Sequence, residues 1–254
     1  MIIWLASYPK SGGELIRTLL SSYIFSQDGS FHPELLENIK QFPDNTLFNK
    51  LGIDTNNEEE MYKNYIKSQE LYFNEESIRF LKTHSCFVNR KDFQFTDKHN
   101  TLGVIYIVRD PKKILFSLAN DFKQTNQQSS EIILTKQYLG KDTPNHCLTY
   151  LSSWKDHYNS WKTFNKYNRY CLIKYEDLVH DTEKVFLEVL KFISRMAKVH
   201  FSIEKEKLQN TLKTCDLTKI QEFEDKKNLS SDKEVQDSLE KELQNEMKEL
   251  DYLK

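Results

Sequence analysis

Ile2-Ile3-Trp4-Leu5-Ala6-Ser7 runs without a break into Tyr8-Pro9-Lys10-Ser11-Gly12-Gly13. The first six residues are an apolar run of strand length. From Gly13 to Phe25, apolar residues recur at Leu15, Ile16, Leu19, Leu20, Tyr23 and Ile24, the spacing of one helix face. The stretch therefore reads as strand, tight loop, helix. Backbone amides at a helix N-terminus point into the crevice at the strand end, two glycines let an anion approach them, and Lys10 adds positive charge. That is a site for a phosphate-type group. It is not a Walker A loop, where Lys follows the second Gly and precedes Ser or Thr, because here Lys10 and Ser11 precede the glycines. A nucleotide kinase is disfavoured accordingly. Taken alone, the loop has a plainer reading: a tight turn whose glycines serve geometry and whose Lys10 is solvated.

Working outward, Gln41 to Asn57 is polar and reads as an irregular excursion, and Glu58 to Phe73 resumes as a helix. Ile78 to Lys82 is a short strand ending at Thr83-His84. Leu102 to Val108 is apolar throughout, as a strand buried on both faces must be. Pro111 opens the next helix, through Ile114, Leu115, Leu118 and Phe122. Pro144 opens a long helix through Leu148, Leu151, Trp154, Tyr158, Trp161 and Phe164. Tyr170 to Lys174 is a further strand, followed by a helix from Thr182 to about Ile193. Val235, Leu239, Leu243, Met247 and Leu250 form a stripe too short for a coiled coil, which reads as a packing face. Strands alternating with helices predict an α/β fold with a central parallel sheet flanked by helices, and few Gly and Pro argue for a single domain over residues 1–254. Ligands of such sheets bind at the carboxyl ends of the strands.

Composition narrows the partners. The 36 Lys+Arg and 38 Asp+Glu leave a net charge of −2, which excludes a protein working through overall basic charge on nucleic acid or an anionic membrane. No apolar run is long enough for a membrane span. The start carries no basic, apolar and cleavage pattern, so a cytoplasmic location is expected. Cys86, Cys147, Cys171 and Cys215 lie 61, 24 and 44 residues apart, which offers no zinc spacing and predicts reduced, mostly buried thiols.

The segment Trp4 to Gly12 resembles the start of the cytosolic-type sulfotransferases, which carry a Tyr-Pro-Lys-Ser-Gly loop for 3′-phosphoadenosine-5′-phosphosulfate (PAPS). Three further segments follow in the family's order. Arg109-Asp110-Pro111-Lys112, with Ser117 eight residues after Arg109, is similar to the family's 3′-phosphate site, and physically an Arg fork and a helix hydroxyl suit a phosphate. Lys82-Thr83-His84 is similar to the segment whose His acts as base. Ile173 to Leu178 resembles a segment whose Tyr, here Tyr175, lies near the adenine. Each has a plainer alternative: an Arg capping a strand end, a loop histidine, an acidic helix start. The likeness extends from Ile2 to about Glu224, and Leu239 to Leu253 looks like the family's last helix.

The resemblance implies a P-loop-NTPase-like sulfotransferase fold. It implies transfer of a sulfuryl group from PAPS to a hydroxyl or amine of a small-molecule acceptor, with adenosine 3′,5′-bisphosphate (PAP) as product. His84 would be the base, Lys10 would stabilise the leaving phosphate, and Lys82 would add charge near the transferred group. Lys10, Ser11, Gly12, Gly13, Glu14, Arg109, Ser117 and Tyr175 would surround the donor. This chemistry needs no metal, and no Asp/His/Cys cluster suggests one. Phe31 to Asn57 and Lys123 to Asp142 are the segments where acceptor selectivity is expected, because binding loops sit on a rigid scaffold.

Two departures support a different reading, a non-catalytic relative that binds PAP or a partner protein. The family loop continues with two small polar residues and Trp, where this chain has Gly13-Glu14-Leu15. Glu14 either faces the loop anion or points outward and favours the helix dipole, and the outward orientation is the expectation. The second departure is an absent C-terminal Arg-Lys-Gly lid between Lys227 and Val235.

Overall fold

A computed structural model describes residues 1–71, 78–140, 147–199, 202–215 and 232–253. β1 (Ile2–Ser7) is the middle strand of a five-stranded parallel sheet, and all six of its residues are buried. Successive side chains point to opposite faces. Ile2, Trp4 and Ala6 therefore feed one core layer, and Ile3 and Leu5 feed the other.

α1 (Gly13–Phe25) covers the second layer. A 3-10 turn over Pro33–Asn38 leads to β2 (Lys40–Gln41), then α2 (Asn45–Lys50), α3 (Glu58–Lys63) and α4 (Tyr65–Glu70). β3 (Arg79–Thr83) lies beside β1, and β4 (Asn89–Arg90) and β5 (Phe93–Gln94) form a small antiparallel ribbon. β6 (Thr101–Val108) flanks β1 on the other side and feeds α5 (Pro111–Asp121) and α6 (Asn126–Leu134). β7 (Tyr138–Leu139) pairs with β8 (Thr149–Tyr150) ahead of α7 (Trp154–Lys162). β9 (Tyr170–Lys174), α8 (Tyr175–His180), α9 (Thr182–Ala197), α10 (Lys205–Thr214), α11 (Lys233–Glu242) and α12 (Gln244–Glu249) complete the described chain.

The sheet order is β2-β3-β1-β6-β9. Register pairs Ala6 with Thr83, Ser7 with Ile107 and Val108 with Lys174, so four strands end level with one another. That alignment delivers the β1 loop, His84, Arg109 and Tyr175 to one edge. Gly103 lets α9 lie tightly on β6, since a Cβ there would come within 2.9 Å of the Phe192 ring.

Several elements differ from the sequence expectation. Leu148 to Ser153 is not helical: Thr149–Tyr150 pairs with β7, and α7 starts at Trp154, where the Ser153 side chain accepts from the Asp156 amide. A Ser cap with an acid three residues on outweighs the apolar periodicity before it. Pro144 lies outside the described residues. Of the helix expected over Glu58 to Phe73, residues 72 and 73 lie outside the described ones, and the rest holds two short helices meeting at Asn64, whose side chain bonds the Glu60 carbonyl at 2.8 Å, as Asn does when it competes with helix backbone. The excursion from Gln41 contains β2's last residue and α2, capped by Asp44. Tyr175 begins a helix of its own, and the final helix breaks at Leu243, although Leu239, Leu243, Met247 and Leu250 all pack into the first core layer. Cys86, Cys147 and Cys215 are buried, Cys171 is half-buried, and all four are free thiols.

Candidate active site at the strand ends

The β1 loop is held by its neighbours. Lys10 adopts a left-handed φ of 67°, and its carbonyl accepts from Arg109 Nη1 at 3.0 Å. Gly12 has φ 90°, and a Cβ there would lie 2.3 Å from Tyr175 Cδ2. Tyr175 is buried against Gly12, and the Arg109 guanidinium lies 4.4 Å from its ring centroid. No side chain caps α1, and although the Leu15 amide donates to the Gly12 carbonyl at 3.1 Å, the Gly13 and Glu14 amides before it can face an anion. The buried Ser11 hydroxyl has no hydrogen-bond partner among the described residues, which leaves a donor for a group entering the loop.

His84 stands just past β3. Its Nδ1 donates to the Ser7 carbonyl at 2.7 Å, because a carbonyl can only accept. The lone pair therefore sits on Nε2. Burial and then the Lys82 ammonium lower the His84 pKa to about 3, so the ring is neutral at physiological pH. The segment after it is pinned by Trp161, which donates to the Ser85 carbonyl at 2.9 Å, and by Ser160, which takes the Phe87 amide at 3.0 Å.

Lys82 is buried within β3, where its Nζ meets the Glu14 carboxylate and the Gln41 amide oxygen at 3.3 Å. Among the described residues Glu14 makes no hydrogen bond to the loop amides: its largely exposed carboxylate pairs with Lys82 and, at 3.2 Å, with Arg17. Burial opposes ionisation of Glu14, but the two cations outweigh it and hold the carboxyl below its ordinary range. Burial lowers the Lys82 pKa despite Glu14. Lys10 pairs with Asp121, one turn beyond the half-buried Ser117 on the same face of α5. α5 itself starts where Asp110 caps the Lys112 amide at 2.9 Å.

The structure thus gathers the sequence-named residues at one sheet edge and adds groups that sequence reading missed. His157 is fully buried: its Nε2 donates to the His84 carbonyl at 3.2 Å and its Nδ1 accepts from Tyr106 at 2.9 Å. Nothing in the sequence links residues 73 positions apart. Ser7, Arg17 and Asp121 are likewise assigned only by contact, although Ser7 could have been suspected from its place at the end of β1. The segment between Lys227 and Val235, where the family's lid is missing from the sequence, lies up to residue 231 outside the described residues. Among the described residues, no helix is long and apolar enough to cross a membrane, and no three His, Cys, Asp or Glu converge as for a metal.

Comparison with known proteins follows the same line. Mouse sulfotransferase SULT7A1, solved with PAP, superposes with a TM-score of 0.53 at 18% identity over 86% of this chain and 65% of its own. This chain spans just under two thirds of that protein's length. Retinol dehydratase, solved with androsterone and PAP, gives 0.57 at 14% identity, covering 97% of this chain and 80% of that one. At these identities the likeness shows a shared fold. No curated protein sequence matches. The model of the sulfotransferase domain family matches residues 2–250, and the chain belongs to that family.

Proposed function

We propose that the chain moves a sulfuryl group from PAPS to a hydroxyl or amine of a small acceptor, in a cytoplasmic setting. The observation that carries this reading is the His84 ring, with Nδ1 spent on the Ser7 carbonyl and Nε2 left to accept a proton beside the glycine loop. PAPS, when bound, supplies the sulfuryl group and departs as PAP. The loop fits such a donor: the Ser11 hydroxyl is spare, and no side chain caps the start of α1. Arg109 and Ser117 would take the 3′-phosphate, with Tyr175 supporting Gly12 beneath it.

His84 Nε2 removes the acceptor proton as the acceptor oxygen or nitrogen bonds to sulfur and the bridging sulfur–oxygen bond breaks toward phosphate. Lys10, released from Asp121, neutralises the phosphate oxygen that receives the electron pair, and Lys82 stabilises charge on the transferred group. Glu14 stands apart from the donor set because its carboxylate is engaged with Lys82 and Arg17.

A second reading, a non-catalytic PAP or protein binder, is favoured by one observation: both site lysines carry carboxylate partners. Calorimetry with PAP, adenosine 5′-phosphate and ATP, run beside radiolabelled sulfate transfer, tests both. PAP bound about tenfold or more tightly than ATP, with label passing to an acceptor, supports sulfotransfer. Tight PAP binding with no label released to acceptor or water selects the PAP-binding form of the second reading, and no PAP binding removes sulfotransfer and leaves the protein binder.

A further inference from the structure

Beyond His84 the strand ends open into a cleft of about 470 Å³. Its described walls come from α1, the segment through β2 to α2, and the β7–β8 ribbon. The lining is polar: Leu139 and Cys147 are its apolar side chains among the described residues. Among the described lining residues the charges also balance, with Glu14, Glu37 and Asp44 against Arg17, Lys40 and Lys82.

Much of that charge is fixed in place. Arg17 donates to the Ile39 carbonyl at 2.8 Å, the Leu36 carbonyl at 3.0 Å and Glu14 at 3.2 Å. Lys82 is shared between Glu14 and Gln41, and Asp44 caps α2 through the Leu47 amide at 3.2 Å. Among the described lining residues there is therefore no net charge to select an ion and no apolar wall to receive a ring. It does present carboxylate and amide oxygens interleaved with N–H donors, and the Glu14 side chain is 60% exposed. Hydroxyl groups both donate and accept, so a ligand carrying several of them satisfies such a surface. An apolar body with one hydroxyl would leave these groups dry and unpaired, and a site built for hydrogen bonds rejects such ligands strongly.

We infer that the acceptor is a neutral, polyhydroxylated, sugar-like molecule, with Glu14 and Gln41 binding hydroxyls next to the one presented to His84. This rests on the sulfotransfer reading and fixes its substrate class. Glu14 then determines acceptor specificity and makes no contribution to donor binding.

The test offers the full chain radiolabelled PAPS with cellobiose, maltose and lactose, and separately with 4-nitrophenol, androsterone and spermidine. The expected result is kcat/KM for a disaccharide at least about tenfold above the other three, and a KM raised about fivefold or more by Glu14→Ala with PAP affinity held within about twofold. Preference for the phenol, steroid or polyamine overturns the inference, as does Glu14→Ala weakening PAP as much as the sugar. PAP binding with no disaccharide sulfated overturns it while leaving the donor site standing. If PAP does not bind, the sulfotransfer reading falls, and saturation-transfer NMR of the disaccharides at about 10 mM decides the cleft alone. A signal lost in Glu14→Ala supports sugar recognition, and no wild-type signal overturns it.

Discussion

His84 Nδ1 lies 2.7 Å from the Ser7 carbonyl oxygen, so the last residue of β1 fixes the tautomer of the ring that follows β3. Neighbouring parallel strands in register make this contact possible, with Ala6 level with Thr83. Replacing His84 with Ala is expected to lower turnover by about 10² to 10⁴ while PAP affinity stays nearly constant, since the base is needed only as the new bond forms. Steady-state rates and calorimetry on the same variant check this. Because burial and Lys82 keep the ring neutral to about pH 3, the acid limb of kcat/KM should fall well below the ordinary histidine value. A limb centred near 6.5 would place a different group in the base's role.

Arg109 serves two ends, holding the Lys10 carbonyl and covering Tyr175. Arg109→Ala should weaken PAP by about 1.5 to 3 kcal/mol and adenosine 5′-phosphate by much less if the guanidinium also meets the 3′-phosphate. Equal weakening of the two nucleotides in calorimetry would restrict Arg109 to supporting the loop.

Gly13 is required by one atom. A Cβ there would come within 2.5 Å of Ser7 Oγ, while Ser7 Cβ lies at an ordinary 3.5 Å. Gly13→Ala alone should cost about 1 to 3 kcal/mol through overpacking. In a Ser7→Ala background the obstruction is gone, and the same change should stabilise by about 0.5 to 1 kcal/mol, because Ala is the better helix residue. Urea midpoints of the four proteins give the coupling, and additive effects would sink this account.

His84 and His157 are both neutral in the fold, with pKa values lowered to about 3 chiefly by burial. Their folded values lie below the unfolded value of about 6.5, so the unfolded chain binds more protons once the pH drops beneath it. Stability is full above about pH 6.5 and lost as pH falls, at a limiting slope of about 2.7 kcal/mol per pH unit for two groups. Denaturation midpoints between about pH 6.5 and 5, ahead of most carboxylates, measure it. His157→Gln should remove about half of the slope, and an unchanged slope would show that His157 does not take part.

The apolar run from Ile2 and the strand over Leu102 to Val108 were legible because a strand buried on both faces has no room for polar residues. The loop was legible because left-handed backbone and close packing at Gly12 demand glycine, and because its order of Lys, Ser and Gly is local. Local signals also fix the starts of α1 and α5 to the residue, whereas the Ser153 cap of α7 is hidden inside a longer periodic run. What residue order could not decide is which charge meets which. Glu14 pairs with Lys82 while staying largely exposed, Lys10 reaches Asp121, and His157 reaches the His84 carbonyl only because four parallel strands end level and bring separate loops together. The same convergence sets the polarity of the cleft. Such pairings carry no periodicity, since they depend on side-chain reach across elements far apart in the chain, and the tertiary structure alone determines them.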